Sequence, residues 1–256
     1  MSTDIARNLW QARADGTVVQ PEDIDPKPTL ENSYAIQAEV TRLSGLDVVG
    51  FKIGSTSEAA MRRVGTDEPG SGPILKPFLL DSPARIELVP TQMPQVEGEI
   101  AFRLGSDLPA KEGAYTYDQV AAAVEAIAGA IEVVGTRVAG GLAGYGRPMS
   151  TADGGVNIAL VVGEWDRDWR KHDLKTLEIG LRINGEEKDR GPGSRALGDP
   201  MNVMVWLANQ QSKFGRGLKK GEVITTGTCT GIEAIHPGDI IDADYTGLSP
   251  VEITAV

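Results

Sequence analysis

Gln95-Val96-Glu97-Gly98-Glu99-Ile100-Ala101-Phe102, QVEGEIAF, continues through Arg103 to Leu104 and decides what kind of core this chain can build. Its apolar residues read as a buried strand, yet two glutamates stand one residue apart. In a strand, residues i and i+2 share a face. Glu97 and Glu99 therefore point to one side, about 6–7 Å apart along the backbone. Val96, Ile100 and Phe102 point to the other. Two like charges that close oppose each other's ionisation unless water, a cation or a proton relieves them. A solvated strand face would supply the water, and a bound cation would turn the pair into a site. Taken alone, the segment leaves both readings open.

Outward from this segment, further β-like runs occur at Val48–Gly54, Ala84–Val89, Ala130–Val134, Val156–Val162 and Glu178–Ile183. Asn184-Gly185 is a hairpin-turn signal that pairs the Leu181–Ile183 run with a strand after Glu186. EVITTG, HPGDIIDADY and SPVEITAV alternate strands and turns at the C-terminal end. Helical periodicity marks residues 4–14 and 29–44, with Leu30, Tyr34, Ile36, Val40 and Leu43 forming a stripe in the second. Ser57–Val64, the Ala-rich Tyr117–Ala128 and Asp199–Phe214 complete the helices expected. The stretches between residues 15 and 28, and from Gly65 to Gly72, read as loops. Helices first, then a strand-dominated core with inserted helices, indicate an α+β fold rather than an alternating doubly wound sheet. A small N-terminal helical segment over residues 1–47 would precede a core over 48–256, as one compact domain overall. No GxGxxG joins a strand to a helix and no GxxxxGK[ST] occurs, so nucleotide-binding folds have no support.

Bulk properties narrow the chemistry. The 256 residues are 41% hydrophobic, enough for a sizeable core, and the formal net charge of −11 argues against nucleic-acid or anionic-membrane binding. No window approaches 18 uninterrupted apolar residues, and the beginning, MSTDIARNLWQARADG, lacks the apolar core of a secretory signal. A cytoplasmic protein is expected. The single Cys229 rules out an intramolecular disulfide and a multi-cysteine metal site. Both histidines, His172 in a charged stretch and His236 before a Pro-Gly turn, read as surface residues. Acid–base or metal chemistry then falls on carboxylates and lysine.

Two further charged residues stand in apolar runs. Glu132, in AIEVV, is flanked by Ile131 and Val133, and burying an isolated carboxylate is costly. It either pairs with Arg137 or another arginine, or joins Glu97 and Glu99. Three carboxylates with positions left open for water and substrate suit Mg²⁺ or Mn²⁺. Lys52, in VVGFKIGSTS, is the second. It either pairs with a structural carboxylate or serves as a group that holds a substrate carboxylate or moves a proton. Three glutamates around one divalent cation leave a net negative charge, which a neighbouring ammonium would cancel.

VVGFKIGSTS, VEGEIAFRLGSDLP, AIEVVGTRV, TADGG, RGPGSRALGDPMNVMVWLAN and GEVITTG with HPGDIIDADYTGL stand in the order of the 2-keto-4-pentenoate hydratase / 4-oxalocrotonate decarboxylase group. That group belongs to the fumarylacetoacetate hydrolase superfamily, and the resemblance runs from about residue 30 to the C-terminus. It implies an α+β fold with a mixed β-roll core, a divalent-metal site and homo-oligomers, with a related hydratase or decarboxylase as a partner to consider. It puts Glu97, Glu99 and Glu132 on the metal-ligand positions and Lys52 on the catalytic lysine. It also makes Ser194, in the Gly-rich RGPGSRALG loop, and Thr226 and Thr228 candidates for contact with the substrate. Cys229 beside them reads as a small core residue.

The implied activity is that of a lyase on a small anionic 2-oxo or 2-hydroxydienoic acid from aromatic catabolism. Hydration of a 2-hydroxypenta-2,4-dienoate-like substrate leads, 4-oxalocrotonate-type decarboxylation follows, and a non-catalytic partner subunit is the reading from another class. This sequence departs from the group's pattern at three points. Gly70 stands where hydratases carry an Asp after Glu-Pro, Gly154 stands for the Asn of an Asp-Asn pair, and Gly135 replaces an acid before the Thr-Arg pair.

Overall fold

The computed structural model describes residues 2–256. Helices α1 (Ser2–Asp15) and α2 (Leu30–Ser44) lead into β1 (Val48–Gly54), followed by α3 (Glu58–Val64) and β2 (Gly70–Leu75). The chain continues through β3 (Leu79–Asp81), β4 (Ala84–Ile86), β5 (Gln95–Leu104), α4 (Tyr117–Ala123) and β6 (Val124–Val134). Then come α5 (Gly146–Ala152), β7 (Asn157–Val162), β8 (Glu178–Ile183), β9 (Glu186–Pro192) and α6 (Pro200–Lys213). Strands β10 (Val223–Thr225), β11 (Glu233–Ala234), β12 (Ile240–Tyr245) and β13 (Leu248–Ala255) complete it.

Two sheets result. The larger runs β2-β1-β10-β5-β6-β7-β3 with β11 also on β5, and the smaller runs β4-β13-β12-β8-β9. Most pairs are antiparallel, but β1–β10, β3–β7 and β4–β13 are parallel, so the α+β fold has mixed sheets. Strand alternation sorts the larger sheet's side chains into two populations. Ile100, Phe102 and Ile131 meet Ile179, Leu181, Tyr245 and Val251 of the smaller sheet in the main core. Each such side chain, fully buried, contributes about 1.5–3 kcal/mol. The sheets approach closely at Gly129, where a Cβ would lie 2.4 Å from the Tyr245 ring. The Tyr245 hydroxyl donates to the Ala130 carbonyl at 2.6 Å, so its polar end is satisfied inside the core.

The opposite, outer face of the larger sheet carries a separate cluster of Ile74, Ala101, Ala130, Leu160, Val162 and Val223. Nearby, α1 and α2 bury Ile5, Leu9 and Ile36 against Val138, Met149 and Ala152 of α5 and the loop before it. Gln37 of α2 donates to the Ser71 and Thr151 carbonyls at 2.9 and 2.8 Å, tying this helical cover to β2 and α5. Thr29 caps α2 in a reciprocal box with Asn32, and Gly45 ends it at φ 65°.

Two expectations are corrected. The helix from Tyr117 stops at Ala123, and Val124–Val134 is a single strand rather than the end of a helix plus a short strand. The Ala-rich composition favours helix locally, but β6 pairs with β5 from Gln95↔Val134 to Leu104↔Val124, and that ladder wins. The loop after α3 ends early, because Gly70–Leu75 pairs antiparallel with β1.

Candidate metal centre

The β5–β6 register sets Glu97 directly opposite Glu132, with Glu99 opposite Ala130. Glu97, Glu99 and Glu132 therefore share the outer face of the larger sheet. Each offers a carboxylate oxygen, and these oxygens all lie within 4.8 Å of one another. The face is not solvated: Glu97 is 8% exposed, and Glu99 and Glu132 are fully buried.

Lys52 comes from β1. Following the register Gly50↔Val223↔Arg103, it falls on the same face as the glutamates. β10, which separates β1 from β5, is three residues long and ends at Thr225 opposite Ala101. Past that end the ladder is open, and Lys52 Nζ reaches Glu132 Oε2 at 2.7 Å. The backbone of Gly155 lies against the lysine stem, and a Cβ there would sit 2.7 Å from Lys52 Cδ.

The glutamates are held differently. Glu132 Oε1 accepts from Asn157 Nδ2 at 2.8 Å, and Glu99 Oε2 accepts from the Gly227 backbone N–H at 2.8 Å. Glu99 Oε1 is buried with no hydrogen-bond partner. A buried carboxylate oxygen without a donor is costly, and here it faces two further carboxylates. Burial pushes the Glu97 carboxyl up to about 7; Lys52 pulls it down and Glu132 adds to the rise. Burial, then Glu132 and Glu97, raises Glu99 well above its ordinary value too. Desolvation alone would lower Lys52, but Glu132, Glu97 and Glu99 outweigh it and hold the ammonium above its ordinary value. Hard oxygen donors, an excess of negative charge and an orphaned oxygen are what a divalent cation such as Mg²⁺ relieves. The residues present fit such an ion.

Above the cluster lies a cavity of about 540 Å³, whose wall includes Lys52, Glu97, Ser55, Thr228, Thr230 and Arg147. Glu97 is the carboxylate that faces it; Glu99 and Glu132 lie underneath. Thr228 is thus on the wall. The Thr226 hydroxyl turns instead to the Ile100 carbonyl at 3.1 Å, and its side chain is fully buried. Ser194 is not on the wall; its neighbour Arg195 is, with its guanidinium held by Asp189 Oδ2 and the Cys229 carbonyl.

Arg137, weighed above as a partner for Glu132, pairs with Asp153, Nε–Oδ1 2.6 Å. Cys229 is wholly buried, its backbone N–H donating to the Gly98 carbonyl, and burial pushes its thiol well up, so it is no nucleophile. His172 meets Asp166 at 2.8 Å and His236 is exposed, both away from the cluster.

Sequence reasoning missed Asn157 and Arg147. Asn157 carried a signal, an amide heading the apolar run NIALVV. Arg147 carried none, because its place in the wall depends on how α5 packs across β2.

Residues 73–256 match the family described as Fumarylacetoacetate (FAA) hydrolase C-terminal. That match covers most of the chain, and the chain belongs to the fumarylacetoacetate hydrolase family. It is 33% identical over 252 residues to a 2-keto-4-pentenoate hydratase of Paraburkholderia xenovorans (strain LB400), covering 97% of this chain and 92% of the relative. It is 30% identical over 253 residues to a 2-hydroxyhexa-2,4-dienoate hydratase of Comamonas testosteroni, covering 96% and 94%. Among solved structures, the 4-oxalocrotonate decarboxylase from Pseudomonas putida G7, complexed with magnesium and adipate, superposes with a TM-score of 0.91 at 25% identity, covering 100% of this chain and 97% of that one.

Proposed function

We propose that this protein is a divalent-metal-dependent lyase acting on a small 2-oxo or 2-hydroxydienoic acid, with addition of water to a 2-hydroxypenta-2,4-dienoate-like substrate as its reaction. The observation that carries this is the convergence of Glu97, Glu99 and Glu132 within 4.8 Å beside Lys52, with Glu99 Oε1 left without a partner. Relatives named as hydratases over nearly the whole chain support hydration.

Glu97, Glu99 and Glu132 would hold Mg²⁺ or Mn²⁺. When bound, such an ion supplies Lewis acidity towards the carboxylate and 2-oxo oxygens of the substrate. Lys52 keeps its ammonium charged against Glu132 and presents Nζ to the cavity, where it binds the anionic substrate and serves as the proton donor or acceptor. Glu132 and Gly155 fix the lysine's reach. Val134, Leu142 and Ile232 add apolar surface to the wall, against which the substrate's carbon chain packs. Thr228 and Thr230 offer polar contacts along the substrate, while Ser194 and Thr226 act only through the backbone and packing they support.

Decarboxylation is the second reading. Gly70 in place of an acid favours it, as does the similarity to a decarboxylase complexed with magnesium. A homo-oligomer in the cytoplasm belongs to the same proposal, and light scattering on the purified protein tests the assembly.

Incubation with Mg²⁺ or Mn²⁺ separates the two chemistries when 2-hydroxypenta-2,4-dienoate and 2-oxohex-3-enedioate are followed for water addition and CO₂ release. Glu97→Ala, Glu99→Ala and Glu132→Ala are each expected to abolish turnover. Full activity in the triple variant, or after chelation of all divalent ions, would sink the metal-dependent reading. A protein that turns over neither acid yet raises the rate of a co-purified hydratase would instead be a partner subunit.

A further inference from the structure

Gly70 lacks the side chain that an acid would put there, but the space is not vacant. A Cβ built on Gly70 would lie 2.2 Å from Arg147 Nη1 and 2.9 Å from its Cζ. The guanidinium of Arg147 lies over the position an aspartate would fill. Gly70 pairs with Gly54 and Gly72 with Lys52, so Gly70 and Gly72 share the face of the sheet that carries the lysine. They are about 6–7 Å apart along the backbone. Arg147 and Lys52 both line the cavity of about 540 Å³.

What distinguishes Arg147 is its lack of partners. It is only 9% exposed, its Nε is buried with no hydrogen bond, and Nη2 makes one long contact, 3.4 Å, to the Glu68 carbonyl. No carboxylate among the described residues lies within ion-pair distance of it. Arg137, more deeply buried still, shows how a structural arginine is satisfied in this fold. Its Nε meets Asp153 Oδ1 at 2.6 Å, and Nη1 donates to the Asn157 carbonyl at 3.0 Å. Burial of the Arg147 guanidinium lowers its pKa from the ordinary value, with Tyr34 and then Glu68 only partly offsetting this. A desolvated guanidinium with free N–H groups facing a cavity is a receptor for a planar oxyanion, which it binds through paired, charge-assisted hydrogen bonds.

Resting on the lyase reading of the same site, we propose that Arg147 is a specificity-determining residue that binds a second, distal carboxylate, so that the 2-oxo or 2-hydroxydienoic head group of the proposed substrate is carried on a diacid rather than on the five-carbon monoacid. The C1 carboxylate and 2-oxo group belong at the Lys52 end, where the three glutamates lie. The diacid's other end then reaches the Gly70–Arg147 wall. An Asp at position 70 would cancel the arginine's charge and remove this preference. The glycine is therefore part of the recognition rather than a simple loss.

The test is calorimetric binding of two unreactive saturated acids of equal length, 2-oxohexanedioate and 2-oxohexanoate, with and without Mg²⁺. Wild-type protein is expected to bind the diacid about ten- to hundredfold more tightly than the monoacid, the range of a charge-assisted contact. Arg147→Leu should bring the two affinities together by weakening the diacid alone, and Arg147→Lys should keep part of the difference. Gly70→Asp should erase the preference with the arginine still in place, so the answer does not depend on one variant folding. Equal, Mg²⁺-dependent affinities in the wild type, or a diacid preference that survives Arg147→Leu, would overturn the role of Arg147 and leave the lyase reading standing. Binding of neither acid, or binding indifferent to Mg²⁺, would overturn both.

Discussion

At the scale of single residues, the site is a charge problem solved inside a protein. Among the described residues, Lys52 is the one cation in salt-bridge contact with the cluster, through Glu132, and its loss leaves the glutamates uncompensated. Lys52→Met is expected to retain divalent-ion binding but lose turnover. It should also cost the metal-free protein about 3–5 kcal/mol in urea unfolding, the usual penalty for breaking a buried pair. Unchanged kinetics would return Lys52 to a structural role. The raised carboxyl pKa values give a pH signature. Glu97 moves from an ordinary 4.5 to about 7 on folding, so the metal-free fold binds this proton more tightly than the unfolded chain does. Its contribution to stability is then present below pH 4.5 and is lost as pH rises through about 7. Glu99 shifts in the same direction. A bound cation replaces those protons, so the rise in Tm on adding Mg²⁺ should be larger at pH 8 than at pH 5.5. Scanning calorimetry at the two values checks this, and a rise independent of pH would contradict the arrangement described. All four of these residues were legible in the sequence, because a charge in an apolar run needs a reason. Whether Glu132 would meet arginine or lysine was not, since that depends on where β10 ends.

At the scale of elements, the site rests on a ladder and an interruption. The ladder is β5 against β6, which sets Glu97 across from Glu132. The interruption is the short β10, which lets a side chain on β1 reach β6. The period-two pattern made β5 plain, whereas β6 was half hidden. Its alanines carry helix propensity, and only pairing along its whole length with β5 overrides that preference. Helices α2 and α6 were readable from their apolar residues, and the structure adds caps at Thr29 and Asp199, both accepting from the first turn. The closeness of β6 to β12 yields a prediction. Gly129→Ala places a methyl group against the Tyr245 ring, and overpacking of this kind costs about 1–3 kcal/mol. Equilibrium urea unfolding measures it, and a neutral result would mean that the two sheets can part without penalty. Because the glutamates lie on the sheet's other face, metal affinity should change far less than stability.

At the scale of the molecule, the larger sheet separates two tasks. One face makes the core with the smaller sheet; the other, covered by α1, α2 and α5, holds the charged cluster and its cavity. Strand alternation predicted that Glu97 and Glu99 would part from Ile100 and Phe102. It could not supply the helical cover, which brings Arg147 to Gly70 through contacts distant in sequence. The same layering gives the protein an internal reporter. Cys229 is the single thiol of the chain, sealed behind β5 two residues beyond Gly227, whose N–H holds Glu99. A thiol reagent reaches it only when that turn opens, so the rate of modification counts openings of the segment that fixes a carboxylate of the acidic cluster. Divalent ions should slow labelling by mass action on the closed form, and a dithionitrobenzoate time course would read this without substrate. A lone cysteine with no chemistry of its own thus becomes a clock for how often the site comes apart.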